Sequence, residues 1–125
     1  MSQDVVSDAL NKMMNAKKAG KDSISVKHHS KFLLSVLAIA KLKGYVKNYK
    51  MDENKVLNIE MGNITGCKAI KPRFVVKVAG IEKYEKRYLP AKNLGILIIS
   101  TSQGLMTNQT AQDKNIGGSL IAYMF

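Results

Sequence analysis

The sequence predicts an α+β fold, with an N-terminal α-β-α-β-β lobe packed on a mainly β C-terminal lobe with a short helix. Three observations predict it. Two segments of the first half carry apolar residues at helical spacing, and the segments after each of them alternate at strand spacing. The second half is a succession of short apolar runs separated by turn residues. Between the halves, Gly62-Asn63-Ile64-Thr65-Gly66 breaks both patterns with two glycines and an asparagine, which divides the chain into 1–62 and 63–125.

The first helix is expected over Val5 to Lys18, where Val6, Leu10, Met13 and Met14 recur at helical spacing. Asp4 is its candidate N-cap and Gly20 its stop, and Lys12, Lys17 and Lys18 sit late, where cations suit the helix dipole. Ser23 to Lys27 alternates Ile24 and Val26 as a short strand. A second helix should run from Lys31 to Lys43, capped by Ser30 and stopped by Gly44. It is apolar nearly all round from Phe32 to Leu42, which predicts a central core helix. Tyr45 to Met51 and Lys55 to Met61 read as a hairpin turning at Asp52-Glu53-Asn54. Beyond the boundary, Phe74 to Val78 and Lys86 to Leu89 are expected as short strands. The run Ile96-Leu97-Ile98-Ile99 within Gly95 to Thr101 reads as a buried strand, with Leu105-Met106 as a brief return. Thr107 would cap a short helix over Asn108 to Lys114, and Ser119 to Phe125 forms a final strand.

Composition narrows the function. A chain of 125 residues with 46% hydrophobic and 23% charged residues can bury a core without disulfide or metal support. Its single cysteine, Cys67, cannot make an internal disulfide, so a cytoplasmic, reducing compartment is expected. No apolar run approaches the roughly 20 residues of a membrane-spanning helix, and the polar, acidic start does not resemble a signal peptide.

Catalytic and metal chemistry find little support. The histidines are the adjacent pair His28 and His29, and nothing in the spacing places them by Cys67 or a serine with an orienting acid. Two neighbouring histidines and an isolated cysteine match no zinc spacing, so no metal is expected. Walker and Rossmann glycine patterns are missing, and neither a cofactor nor a small-molecule substrate is expected. Glu82 and Glu85 lie among lysines as solvated ion-pair partners, not as a tuned acid/base pair. The chain is therefore read as not an enzyme.

Charge is the strongest global signal. The formal net charge is +11, which suits a polyanionic partner. Residues 68 to 92 hold eight bases against two acids, a net of +6, and 93 to 125 are neutral with one of each. A basic block thus precedes the uncharged segment Ser100-Thr101-Ser102-Gln103-Gly104-Leu105-Met106-Thr107. Its hydroxyls donate and accept hydrogen bonds, and its glycine admits a close backbone. Such a loop suits base edges, ribose hydroxyls and phosphates, although composition alone favours an ordinary polar turn. Tyr84 and Tyr88 are interleaved with Lys83, Lys86 and Arg87, so one of them could stack on an unpaired base while its neighbours hold phosphate; simple packing of both is the competing reading.

Several stretches carry a family resemblance. Ser100 to Thr107, S-T-S-Q-G-L-M-T, followed by I-G-G-S-L-I-A-Y at Ile116 to Tyr123, resembles the loop and final strand of the small-subunit ribosomal protein eight family. Asp4, Asp8, Leu10, Asn11 and Asn15 resemble the family's N-terminal pattern. Ala69-Ile70-Lys71-Pro72-Arg73-Phe74 and Lys86-Arg87-Tyr88-Leu89-Pro90-Ala91 are similar to its archaeal and eukaryotic-cytosolic branch. The chain departs from the pattern at Val5, Ser7 and Lys12, all on the first helix. The resemblance covers essentially the whole chain.

The resemblance implies two tightly associated lobes and a structural place in the small ribosomal subunit, beside neighbouring small-subunit ribosomal proteins. It implies primary binding of the central domain of the small-subunit ribosomal RNA, at an irregular helix read mainly by the C-terminal lobe. By position, Ser100, Thr101, Ser102 and Gly104 would contact bases and backbone, and Lys71 and Arg73 would hold phosphate. Asn11, Asn15, Ser30 and Lys31 would offer a second RNA contact from the N-terminal lobe. Repression of translation through a messenger RNA that mimics the site is an alternative use of the same surface. A small hydrolase or transferase using Ser100 or Ser102, and a basic protein–protein adaptor, are rivals from other classes.

Overall fold

The computed structural model describes residues 5–27, 30–70, 75–91 and 94–125. The chain divides into two compact units, Met1–Cys67 and Lys68–Phe125.

The first unit comprises α1 (Val5–Lys18), β1 (Ser23–Val26), α2 (Lys31–Leu42), β2 (Val46–Met51) and β3 (Leu57–Met61). Its three strands form an antiparallel sheet ordered β1-β3-β2. The central strand β3 alternates strictly, burying Leu57, Ile59 and Met61, the pattern of a sheet covered on one face. α1 buries Val6, Ala9, Leu10, Met13 and Ala16, spaced three and four apart along one stripe. Ser30 caps α2, its side chain accepting from the Leu33 N–H at 3.1 Å, and Gly44 ends the helix at φ +84°. Asp4 and the pair His28 and His29 lie outside the described residues.

α2 differs from the expected all-round core helix. It buries Leu33, Val36, Leu37 and Ala40, while Leu42 is 85% exposed. Only one stripe of a helix faces a three-stranded sheet, so an apolar sequence does not by itself bury every side.

The second unit comprises β4 (Cys67–Ala69), within which the chain passes from the first unit, then β5 (Val75–Val76), a 3₁₀ turn (Val78–Gly80) and α3 (Ile81–Tyr88). There follow β6 (Ile96–Thr101), β7 (Gly104–Thr107), α4 (Asn108–Asp113) and β8 (Gly118–Met124). The sheet order is β4-β8-β6-β7, with β5 also pairing β8. Ile70, Val76, Leu97, Ile99, Met106 and Leu120 form a core with Ile81 and Leu89 around α3 and Ala111 of α4.

The strand expected over Lys86 to Leu89 is instead the end of helix α3. Ile81, Tyr84 and Tyr88 recur at helical spacing with charged residues between them, and all three face the core. The strand expected from Phe74 to Val78 is shorter, because Val78 already begins the 3₁₀ turn; Phe74 itself lies outside the described residues.

Candidate nucleic-acid interface

The segment Ser100 to Thr107 takes in the end of β6, a tip and β7, so the strand expected up to Thr101 and the return expected at Leu105-Met106 both form. Thr101 pairs with Gly104 across a two-residue tip, Ser102-Gln103. Neither tip residue has a positive φ; the reversal is completed by Gly104 at φ +106°, a conformation that costs a residue with a Cβ far more than glycine. The Thr101 hydroxyl donates to the Gly104 carbonyl at 2.8 Å and accepts from the Gln103 N–H at 3.1 Å. Thr101 is thereby committed to shaping the turn. Ser102 and Gln103 are exposed at the tip.

Register places a second serine beside the first. Ser100 of β6 is opposite Ser119 of β8 on one side and Leu105 of β7 on the other, and Ser119 is opposite Val75 of β5. Opposed residues share a sheet face with their Cβ atoms about 5 Å apart. Leu97, Ile99, Met106, Leu120 and Val76 point into the core under α3 and α4. By alternation, Val75, Ser119, Ser100 and Leu105 form a row on the opposite face. Val75 is 81% exposed and the other three are half-buried. Ser119, which the sequence places in the final strand and not among the candidate residues, stands beside Ser100 only through this register.

The glycines before Ser119 have a steric cause. A Cβ at Gly117 would strike the Val76 carbonyl, and one at Gly118 would strike the Ser100 carbonyl. Both obstacles are backbone, so neither can swing aside. The glycine pair lets β8 lie tightly against β5 and β6, and it sets the Ser100–Ser119 pairing.

The base of the hairpin is fixed from behind. The Asn108 side chain, buried at the start of α4, accepts from the Leu97 N–H at 3.1 Å. It continues as a side chain the ladder that β7 leaves at Thr107. Thr107 caps α4, accepting from the Thr110 N–H at 3.3 Å. Among the described residues, these two neighbours are the buried polar side chains.

The other candidate residues lie elsewhere. Tyr84 and Tyr88 share one face of α3 and pack on the core at the side of the sheet away from Ser100. Their rings stack at 6.5 Å, and a ladder continues from Tyr88 to Tyr123 at 5.5 Å and on to Phe125 at 6.0 Å. Lys83 lies over the Tyr84 ring at 6.0 Å and Arg87 over Tyr88 at 5.5 Å, so cations and rings stiffen one another. Lys86 is exposed and pairs loosely with Glu82 at 4.0 Å. Lys71 and Arg73 lie outside the described residues.

In the first unit, Asn11 and Asn15 are exposed one turn apart on α1. Asn15 borders a groove of about 440 Å³ with Lys12, Lys21, Ser23 and Ser25, where Lys12 donates to the Ser25 carbonyl at 3.2 Å. The Ser30 hydroxyl is engaged as the α2 cap, and Lys31 beside it is exposed. Cys67 is buried, its thiol donating to the Leu10 carbonyl at 3.6 Å, and burial pushes it up to about 12. Such a thiol has no nucleophilic character at neutral pH. Among the described residues, no group of three or more metal-ligating side chains occurs. Among the same residues, no helix is long and apolar enough to cross a membrane.

Residues 4–125 match the family model described as ribosomal protein S8. The chain belongs to the ribosomal protein S8 family. It is 43% identical to a protein named small ribosomal subunit protein uS8 from Nanoarchaeum equitans (strain Kin4-M), with both chains fully covered. It is 41% identical to a protein of the same name from Archaeoglobus fulgidus, again over the full length of both. Members of the S8 family are ribosomal proteins of the small subunit, a structural and non-enzymatic kind, and RNA binding is general among them. Both relatives are archaeal, in keeping with the branch that the Lys71-Pro72-Arg73 and Lys86-Arg87-Tyr88-Leu89-Pro90 stretches suggest.

Proposed function

We propose that this protein is a primary binder of the central domain of the small-subunit ribosomal RNA, which it helps to fold during assembly of the subunit in the cytoplasm. The observation that carries the reading is the uncharged row of Ser119 and Ser100 leading to the exposed tip Ser102-Gln103. It belongs to a unit of net charge +6, with nine bases against three acids. Cations distributed around an uncharged hydroxyl surface divide the work: lysines and arginines hold phosphates with little regard to sequence, and hydroxyls read base edges and ribose. In this reading Ser100, Ser102, Ser119 and the Gly104 backbone meet the RNA, and Thr101 holds them in shape. Lys71, Arg73, Lys86 and Arg87 supply phosphate contacts, and Asn11, Asn15, Ser30 and Lys31 supply a second RNA contact. Tyr84 and Tyr88 serve this surface indirectly by stiffening α3.

The test is capture of bound RNA followed by sequencing, with Ser102→Ala as the control variant. The expected result is recovery of one internal small-subunit helix, bound about 1–3 kcal/mol more weakly by the variant. An equal loss on an unrelated RNA would remove the hairpin from the reading set.

A further inference from the structure

The second unit is basic, yet its three acidic side chains, Glu82, Glu85 and Asp113, all lie on α3 and α4. These helices flank a cleft of about 460 Å³. Its apolar lining is buried Leu89 with the exposed Pro90 and Ala91 beside it. Its walls are Glu82 and Glu85 on one side and Gln109 and Gln112 on the other, with Lys86 at the rim.

The hydrogen bonds fix what these walls offer. Gln112 Nε2 donates to Glu85 at 2.9 Å, and Gln109 Nε2 donates to Asp113 at 3.3 Å. A primary amide facing a carboxylate must present its NH₂ group to it, which leaves both amide oxygens as acceptors. Glu85 keeps one carboxylate oxygen beyond that bond, and among the described residues Glu82 makes an exposed, loose contact to Lys86 at 4.0 Å. The lining is therefore rich in acceptors beside the apolar Leu89, Pro90 and Ala91, and the geometry suits an incoming donor cation. Phosphate is disfavoured by the carboxylates. The cleft also lies on the helical side of the sheet, away from the Ser119–Ser100 row.

We propose that this cleft docks an extended cationic segment of a neighbouring protein. One lysine or arginine of the segment sits between Glu82 and Glu85, and an adjacent apolar side chain covers Leu89 and Pro90. The inference concerns a surface apart from the Ser119–Ser100 row; Lys86 at its rim is the one side chain that the RNA reading also uses, and the two readings are tested on different ligands.

The test titrates the full-length protein with a short peptide alternating lysine and valine, read by the NMR signals of Leu89, Ala91 and the Gln109 and Gln112 side-chain amides. A peptide with glutamate in place of lysine is the control. The lysine peptide is expected to move these signals and the glutamate peptide to leave them still. Glu82→Gln and Glu85→Gln should each weaken binding about two- to fivefold, the effect of losing one exposed charge contact. Glu82 is exposed, so its variant tests the cleft without disturbing the Glu85–Gln112 bond. The proposal is overturned if the signals do not move, if both variants bind as well as the parent, or if an RNA duplex moves the same signals. In assembled subunits, a photo-crosslinker at Gln109 should label a lysine- or arginine-rich protein segment; labelling of RNA, or of nothing, would overturn it as well.

Discussion

Thr101 separates two roles that a hydroxyl in a binding loop can play. Its oxygen both donates and accepts within the turn, so replacing it should harm binding through shape. Thr101→Val is expected to destabilise the protein by about 1–2 kcal/mol and to weaken RNA binding, with Thr101→Ser restoring both. Ser102→Ala should leave the denaturation midpoint unchanged, because Ser102 is exposed at the tip. Chemical denaturation of the three variants beside RNA titration would show the division. Cys67 gives a second residue-level expectation. Burial raises its thiol from 9.0 to about 12, so a thiol reagent at neutral pH should react only after unfolding. The unfolded thiol ionises near 9.0 and the folded one near 12. Its contribution to stability is therefore complete below about pH 9 and is lost as pH climbs toward 12, by up to about 1.4 kcal/mol per pH unit. Between about pH 8 and about pH 10 the denaturation midpoint should fall further in the parent than in Cys67→Ala.

Among the elements, the β6–β7–α4 corner depends most on one side chain. Asn108 supplies the acceptor that Leu97 would otherwise lack beyond the end of β7. Asn108→Ala leaves a buried N–H unpaired and should cost about 1–3 kcal/mol, with hydrogen exchange at Leu97 accelerating more than in β3 of the other unit. The sequence made much of this architecture legible. Ser30, Gly44 and Thr107 mark helix ends through local chemistry, and β3, β6 and β8 follow from apolar patterns that nothing contradicts. α3 was misread at its end because Arg87, Tyr88 and Leu89 suit a strand in isolation; the deciding cue was Ile81, three residues before Tyr84 and seven before Tyr88. Legibility of the candidate site was partial for a different reason. Ser100 and Ser102 stand out within one segment, whereas Ser119 joins them only through strand pairing across nineteen positions of sequence. No local pattern records such a register, and the same holds for α3 lying on the opposite face.

For the whole molecule, the excess of +11 governs how affinity responds to salt. If about five to eight phosphates are neutralised, log affinity should fall against log salt with a slope of roughly −4 to −7. Lys71→Ala should make that slope shallower by about one while lowering affinity for cognate and unrelated RNA alike; titrations at several salt concentrations provide the check. The sheet of the second unit has a further consequence, which lies in time. Its strand β8 pairs with β4, β5 and β6, yet it follows all three in the chain. The first unit has all its strands by Met61 and can fold as it emerges. The second waits for β8, because its sheet cannot close until Gly118 to Met124 arrive. A chain made only as far as β7 therefore cannot hold Ser100 against Ser119, and the proposed RNA surface comes into being only once β8 has been made.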